Sequence, residues 1–63
     1  MRILIMDGRA RFDPDRAVVV SCCDSLAEAK KEMRDDYQGY DYVVVDGDTW
    51  RVLYDPTEKK VRA

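Results

Sequence analysis

Ten aspartates in a chain of 63 residues are the side chains most able to do chemistry. They include two Asp-x-Asp patterns, at 13–15 and 46–48, whose hard carboxylate oxygens could bind Mg²⁺ or Ca²⁺. Neither pattern has the additional ligands that a calcium loop needs at fixed positions. Aspartate beside proline or glycine is also typical of turns, because its side chain bonds its own backbone. We therefore predict turns with no metal and no cofactor, and a carboxylate metal-binding protein is an alternative.

The sequence offers little to nucleophilic or acid–base catalysis. It has no histidine, which removes the commonest general base and the commonest metal ligand. The two cysteines, Cys22 and Cys23, are adjacent, so in a strand they point to opposite faces and a bridge between them would be strained. The three glycines are isolated, so no phosphate-binding loop is present. These observations predict that the protein is not an enzyme.

Tyrosines and aspartates are concentrated around residues 35–48, and this concentration is the strongest candidate for a binding surface. Aromatic side chains with a polar tip are enriched at binding hot spots. Tyr37 also fits the core-facing side of a helix, which makes Tyr40 and Tyr42 the better surface candidates. The predicted partner-binding residues are Asp35, Asp36, Tyr40, Asp41, Tyr42, Asp46 and Asp48.

The charge of the chain narrows the class of partner. With 11 basic and 13 acidic residues the formal charge is −2, which disfavours general binding to a phosphate backbone. A small nucleic-acid-binding protein that uses Arg9, Arg11 and Arg16 beside Phe12 is an alternative. An acidic aromatic surface suits a basic groove on a target protein, including one that normally holds nucleic acid. We predict a non-enzymatic protein-binding module, an adaptor or inhibitor of the kind often encoded by phages or mobile elements.

The same composition predicts a cytoplasmic protein. The apolar run at 3–6 is far too short for the core of a signal peptide, and nothing approaches a membrane span. The disulfide framework of a small secreted domain is missing, since two neighbouring cysteines are all that the chain contains.

The first half of the chain reads as two strands. An apolar run over Arg2–Met6 predicts the first strand, which Asp7-Gly8 ends. Residues 8–16 are polar and contain a proline, so they predict a connection, with a short strand at 10–12 as an alternative. The β-branched run from Ala17 to Cys22 or Cys23 predicts the second strand.

A helix and a hairpin follow. Ser25 predicts an N-cap, with Glu28 completing a capping box, and Gly39 predicts the helix end in a left-handed conformation. The core-facing stripe of this helix is Leu26, Ala29, Met33 and Tyr37. Strands over 40–45 and 49–54 then predict a hairpin with a three-residue loop, stopped by Asp55-Pro56. We expect Trp50 and Tyr54 under the helix, and a mobile tail at 57–63.

This order, ββαββ, predicts a single α+β domain over residues 1–63: a two-layer sandwich with one helix on a four-stranded, antiparallel sheet. The expected strand order is 2-1-3-4, which places strands 1 and 3, the two most apolar, in the centre of the sheet. Strands 1, 2 and 3 are apolar at successive positions, so both faces of the sheet need cover and one helix covers only one. The connection carrying Phe12 could cover the other face. We predict instead a homodimer, through that face or a strand edge.

The predicted homodimer is tested by light scattering at micromolar concentration. We expect a species of twice the 7.3 kDa chain mass. A species of 7.3 kDa under these conditions would contradict the prediction.

Overall fold

A computed structural model describes residues 2–56 of the chain, and the predicted tail at 57–63 lies outside them. The described elements are β1 (Ile3–Asp7), a 3₁₀ helix (Gly8–Arg11), β2 (Val19–Cys23), α1 (Leu26–Asp36), β3 (Tyr42–Asp46) and β4 (Val52–Tyr54). One open antiparallel sheet has the order β2-β1-β3-β4. The predicted α+β fold and the predicted strand order are both confirmed.

Local sequence signals set both ends of α1. The Ser25 hydroxyl accepts a hydrogen bond from the Glu28 amide at 3.2 Å, as predicted for the N-cap. The last helical residue is Asp36, and Gly39 follows with a φ of +94°, a left-handed conformation that strains any residue with a side chain. Nothing between residues 2 and 56 forms a helix of the length and hydrophobicity needed to cross a membrane.

The helix buries one face of the sheet. Ala29 and Met33 of α1 are buried against a layer of strand residues, as the helical spacing predicted. Glu32 also ties the helix to β2, because its carboxylate accepts hydrogen bonds from the Ser21 hydroxyl at 2.8 Å and from the Cys23 thiol at 3.2 Å. The buried strand residues of this layer are Ile3, Ile5, Cys23 and Val44.

The opposite face of the sheet is also buried, with the connection packed against it. The predicted alternative of a strand at 10–12 is wrong, because the Asp7 carboxylate caps a 3₁₀ helix by accepting the Arg9 amide at 2.8 Å. Ala10 of this helix packs on the sheet, with Ala17 beside it, whereas Phe12 is 86% exposed and does not cover the face. The strand residues buried on this side are Leu4, Met6, Val43 and Val45.

These findings bear on the predicted homodimer. The apolar face that motivated it is already buried within one chain. Both edge strands pair irregularly with their neighbours, and β4 is only three residues long. Short and irregular edges are poor templates for pairing with another chain. The homodimer therefore stays a prediction for light scattering to test.

The hairpin differs from its predicted form. Its connection spans five residues, 47–51, rather than three, because the Asp46 carboxylate accepts the Asp48 amide at 2.8 Å and opens a wider turn. Trp50 has a φ of 65°, and its amide donates to the Asp46 carbonyl at 2.8 Å. The expectation that Trp50 lies under the helix is wrong, since it is in the turn and 43% exposed.

Arg11 joins the connection to the two strands of the hairpin. Its guanidinium makes two hydrogen bonds to the Asp55 carboxylate, at 2.6 and 2.9 Å, and a third contact to Asp41 at 2.9 Å. These carboxylates raise the pKa of Arg11 further above its usual range, so the guanidinium is always charged. A Cβ at Gly8 would displace these groups, because it would meet the Asp41 carboxylate and lie 2.5 Å from the guanidinium.

The two ion pairs should differ in their effect on stability. Asp55→Asn leaves a largely enclosed guanidinium without its bidentate partner, so we expect a loss of about 2–3 kcal/mol in the free energy of unfolding. Asp41→Asn should lower it by less than about 1 kcal/mol, because the Asp41 side chain is 69% exposed against 11% for Asp55. Urea unfolding measures both variants, and equal losses would contradict the assigned roles.

Candidate functional site

Three tyrosines form one packed group, which we call the tyrosine cluster: Tyr37, Tyr40 and Tyr42. The rings of Tyr40 and Tyr42 are stacked, with centroids 5.2 Å apart and planes 7° apart. Tyr37 meets both rings edge-on, at 6.4 Å from Tyr40 and 5.3 Å from Tyr42. Offset stacking and edge-to-face contacts are the favoured aromatic geometries, so each ring holds the others in place.

The turn after α1 positions this cluster. The left-handed Gly39 reverses the chain, and the Tyr40 amide donates to the Tyr37 carbonyl at 3.1 Å. Tyr42 then begins β3 and packs, half-buried, against the helix-facing core. Tyr40 is exposed, at 61%, whereas Tyr37 and Tyr42 are both partly buried. The structure therefore presents Tyr40 on the surface as expected, while Tyr42 also belongs to the core.

The aspartates near the cluster are largely neutralised. Asp35 accepts a hydrogen bond from Lys31 at 3.1 Å, which lowers the pKa of its carboxyl group. Asp41 contacts Arg11. Asp36 is exposed close to Tyr37, whose pKa is raised mainly by burial and also by neighbouring acidic charge that includes Asp36. The acidic character expected of this surface is therefore much weaker than the sequence indicated.

Two predicted site residues, Asp46 and Asp48, lie elsewhere. Strand β3 runs from Tyr42 to Asp46, which separates its ends by about 13 Å at the usual rise per residue. Asp46 also uses its carboxylate to accept backbone amides in the turn. The predicted surface of seven residues is therefore two separate regions, and only Asp35, Asp36, Tyr40, Asp41 and Tyr42 share one end of the molecule.

A groove lies beside the tyrosine cluster, with a volume of about 660 Å³. It runs between α1 and the end of β4, and we call it the tyrosine groove. Lys30 lies on its helical side, with its ammonium group 4.9 Å from the centre of the Tyr54 ring. Tyr54 was expected under the helix, and it does pack, half-buried, against the helix-facing core. The charged, apolar and aromatic side chains that line it include Lys30, Met33, Arg34, Tyr37, Tyr40 and Tyr54.

Sequence reasoning missed the basic wall of this groove. Lys30 and Arg34 are one helical turn apart and flank the apolar position of Met33. That spacing was available as a signal. The sequence does not show which part of the sheet α1 leaves uncovered. The position of that uncovered part is the reason that these two cations border a groove.

The alternative arginine patch is not supported by the geometry. Arg11 is held by Asp55 and Asp41, with only 21% of its side chain exposed. Arg16 lies 3.5 Å from the Asp13 carboxylate. Of the three arginines proposed for contact with nucleic acid, one is therefore occupied in holding the fold together.

One group of potential metal ligands converges, but each member has a structural role. Single ligand atoms of Cys23, Glu28 and Glu32 lie within 4.8 Å of one another. Burial, helped by the hydrogen bond to Glu32, raises the pKa of the Cys23 thiol to about 11, so at neutral pH this thiol is protonated and donates to that carboxylate. Glu28 is an exposed residue in the first turn of α1, where a negative charge is favourable.

No protein-family model, curated protein or solved structure matches this chain.

The two adjacent cysteines should react very differently with a thiol reagent. Cys22 is exposed, whereas Cys23 is 3% exposed with a raised pKa. A rise from 9.0 to about 11 lowers the thiolate fraction roughly 100-fold near neutral pH. We expect one fast alkylation at pH 8, lost in Cys22→Ser, and a second only in denaturant. Equal rates in the native chain, read by mass spectrometry, would contradict this arrangement.

Proposed function

We propose that the chain is a non-enzymatic protein-binding module, an adaptor or inhibitor, that contacts its target through the tyrosine cluster and the groove beside it. The observation that carries this proposal is the state of Tyr40. Its side chain is 61% exposed, yet its ring is stacked at 5.2 Å on Tyr42 and held edge-on by Tyr37.

An exposed aromatic ring that is already fixed is well suited to binding. Association loses free energy when mobile side chains become ordered at an interface. Tyr40 has two aromatic neighbours that restrict its ring before any target arrives, so little further order is needed. Tyrosine also supplies a large apolar contact and a hydroxyl that can find a hydrogen-bond partner.

Negative charge contributes less to the proposed binding surface than the sequence indicates. Asp35 and Asp41 are paired with Lys31 and Arg11, so aromatic contact rather than negative charge carries most of the proposed affinity. The sequence alone predicts a target with a basic groove, including a nucleic-acid-binding protein. The tyrosine groove itself is lined by Lys30 and Arg34, so negative charge on the target suits this site better. Added salt weakens binding in both cases, so reversal of the target's charge is the measurement that distinguishes them.

We place the action of this module in the cytoplasm. The support is chemical: Cys22 and Cys23 are both free thiols, and Cys22 is exposed. Unpaired exposed thiols persist in reducing compartments.

The test replaces Tyr40 while keeping the fold. We expect Tyr40→Ser to reduce capture of the target from a lysate of the source cells at least tenfold, about 1.4 kcal/mol, as truncation of an aromatic hot spot does. Tyr42 is left in place because it is half-buried and packs on the core. Quantitative mass spectrometry of the captured proteins gives the ratio, and circular dichroism confirms that the variant is folded.

Trp50→Asn is the matched control. It removes an exposed aromatic side chain from the other end of the molecule, and asparagine tolerates the positive φ of this position. This variant should capture the target as the original chain does. Equal capture by Tyr40→Ser, or equal losses in both variants, would overturn the proposed role of the tyrosine cluster.

A further inference from the structure

We infer that the part of the target that occupies the tyrosine groove is an amphipathic helix whose apolar stripe is flanked by acidic side chains. The inference rests on the proposed function, since it names the chemistry of the partner at the same site. It follows from the shape of the groove, the side chains on its floor and the charges on its wall.

The shape comes from the mismatch between one helix and four strands. A helix with its side chains is about 10 Å wide, whereas the outer strands of a four-stranded sheet lie about 14 Å apart. Helix α1 packs on β1, β2 and β3, so the sheet near the end of β4 is left beside it. Among residues 2–56, the tyrosine groove lies along this strip, beside the C-terminal half of α1.

The lining of the groove includes apolar and aromatic side chains beside the charged ones. Met33 and Tyr37 come from α1, and Tyr54 comes from the end of β4. Tyr40 borders the groove at its exposed end. Such a surface matches the apolar stripe of an amphipathic helix, which anchors in a groove through residues on one face.

The charges that line the groove determine which charged side chains are favourable on either side of the apolar stripe of that helix. Lys30 and Arg34 line the groove from successive turns of α1. Asp41 is the one acidic side chain among the described residues that line it, and Asp41 contacts Arg11. The contact of Arg34 with Asp35 is long, at 3.6 Å. The charge on the partner that complements Lys30 and Arg34 is therefore negative.

A helix fits this site better than an added strand does. Strand addition needs a regular edge with unpaired backbone groups. The edge strand at this groove, β4, has three residues and an irregular register with β3. It offers too few backbone hydrogen bonds to hold an extended peptide.

The experiment uses two fluorescent, cross-linked helical peptides with the same leucine stripe, one flanked by glutamates and the other by lysines. Fluorescence anisotropy with the full chain should show at least tenfold tighter binding of the glutamate peptide. Lys30→Glu combined with Arg34→Glu should reverse this preference. Tyr40→Ser should weaken the binding of the glutamate peptide at least fivefold.

Arg2→Glu combined with Arg51→Glu is the matched control, because it makes the same change in net charge at exposed positions away from the groove. This control should keep the preference for the glutamate peptide. Equal affinities, a preference for the lysine peptide, or an equal effect of the two double variants would overturn the inference.

Failure of the inference is distinguishable from failure of the proposed function. If neither peptide binds while Tyr40→Ser still abolishes capture of a target from lysate, the module binds a protein of other chemistry and only the inference falls. If Tyr40→Ser captures the target normally, the proposed function falls as well.

Discussion

The described fold depends on one side chain that reaches across its second layer. Arg11 belongs to the 3₁₀ helix, yet its guanidinium ends against carboxylates that follow β4 and precede β3. Residues 2–56 contain one α-helix, which lies on the first face of the sheet, and the second face is packed by small side chains on an irregular connection. Alanines supply little apolar area, and a connection held by them alone would open readily. The bidentate ion pair supplies the directional restraint that the alanines lack.

The candidate site has its origin in the same arrangement of layers, in which the one α-helix among residues 2–56 lies on a four-stranded sheet. Here the helix covers three strands, and the turn at Gly39 sets the tyrosine cluster at the end of the uncovered strip. The groove and the aromatic anchor therefore have a common origin in a sheet that is wider than its helical layer.

The residues explain why the fold was predictable and the site only partly so. Ser25, Gly39 and the stripe from Leu26 to Tyr37 act locally, and the strand order followed from apolar content. Asp46 and Arg11 were misjudged because their roles depend on partners: one carboxylate widens a turn, and one guanidinium meets a residue 44 positions away. The acidic surface was overestimated for the same reason, since sequence shows charges but not the cations that neutralise them.

Asp41 links the tyrosine groove to the ion pairs of Arg11. It lines the tyrosine groove on one side and contacts Arg11 on the other. A target that restrains Asp41 also restrains the network that holds the second layer in place, so occupancy of the groove and the folding equilibrium are thermodynamically linked. Any ligand that binds only the folded state raises stability with its concentration. Under the proposed function, a target bound in the groove would therefore add to the stability of the folded chain.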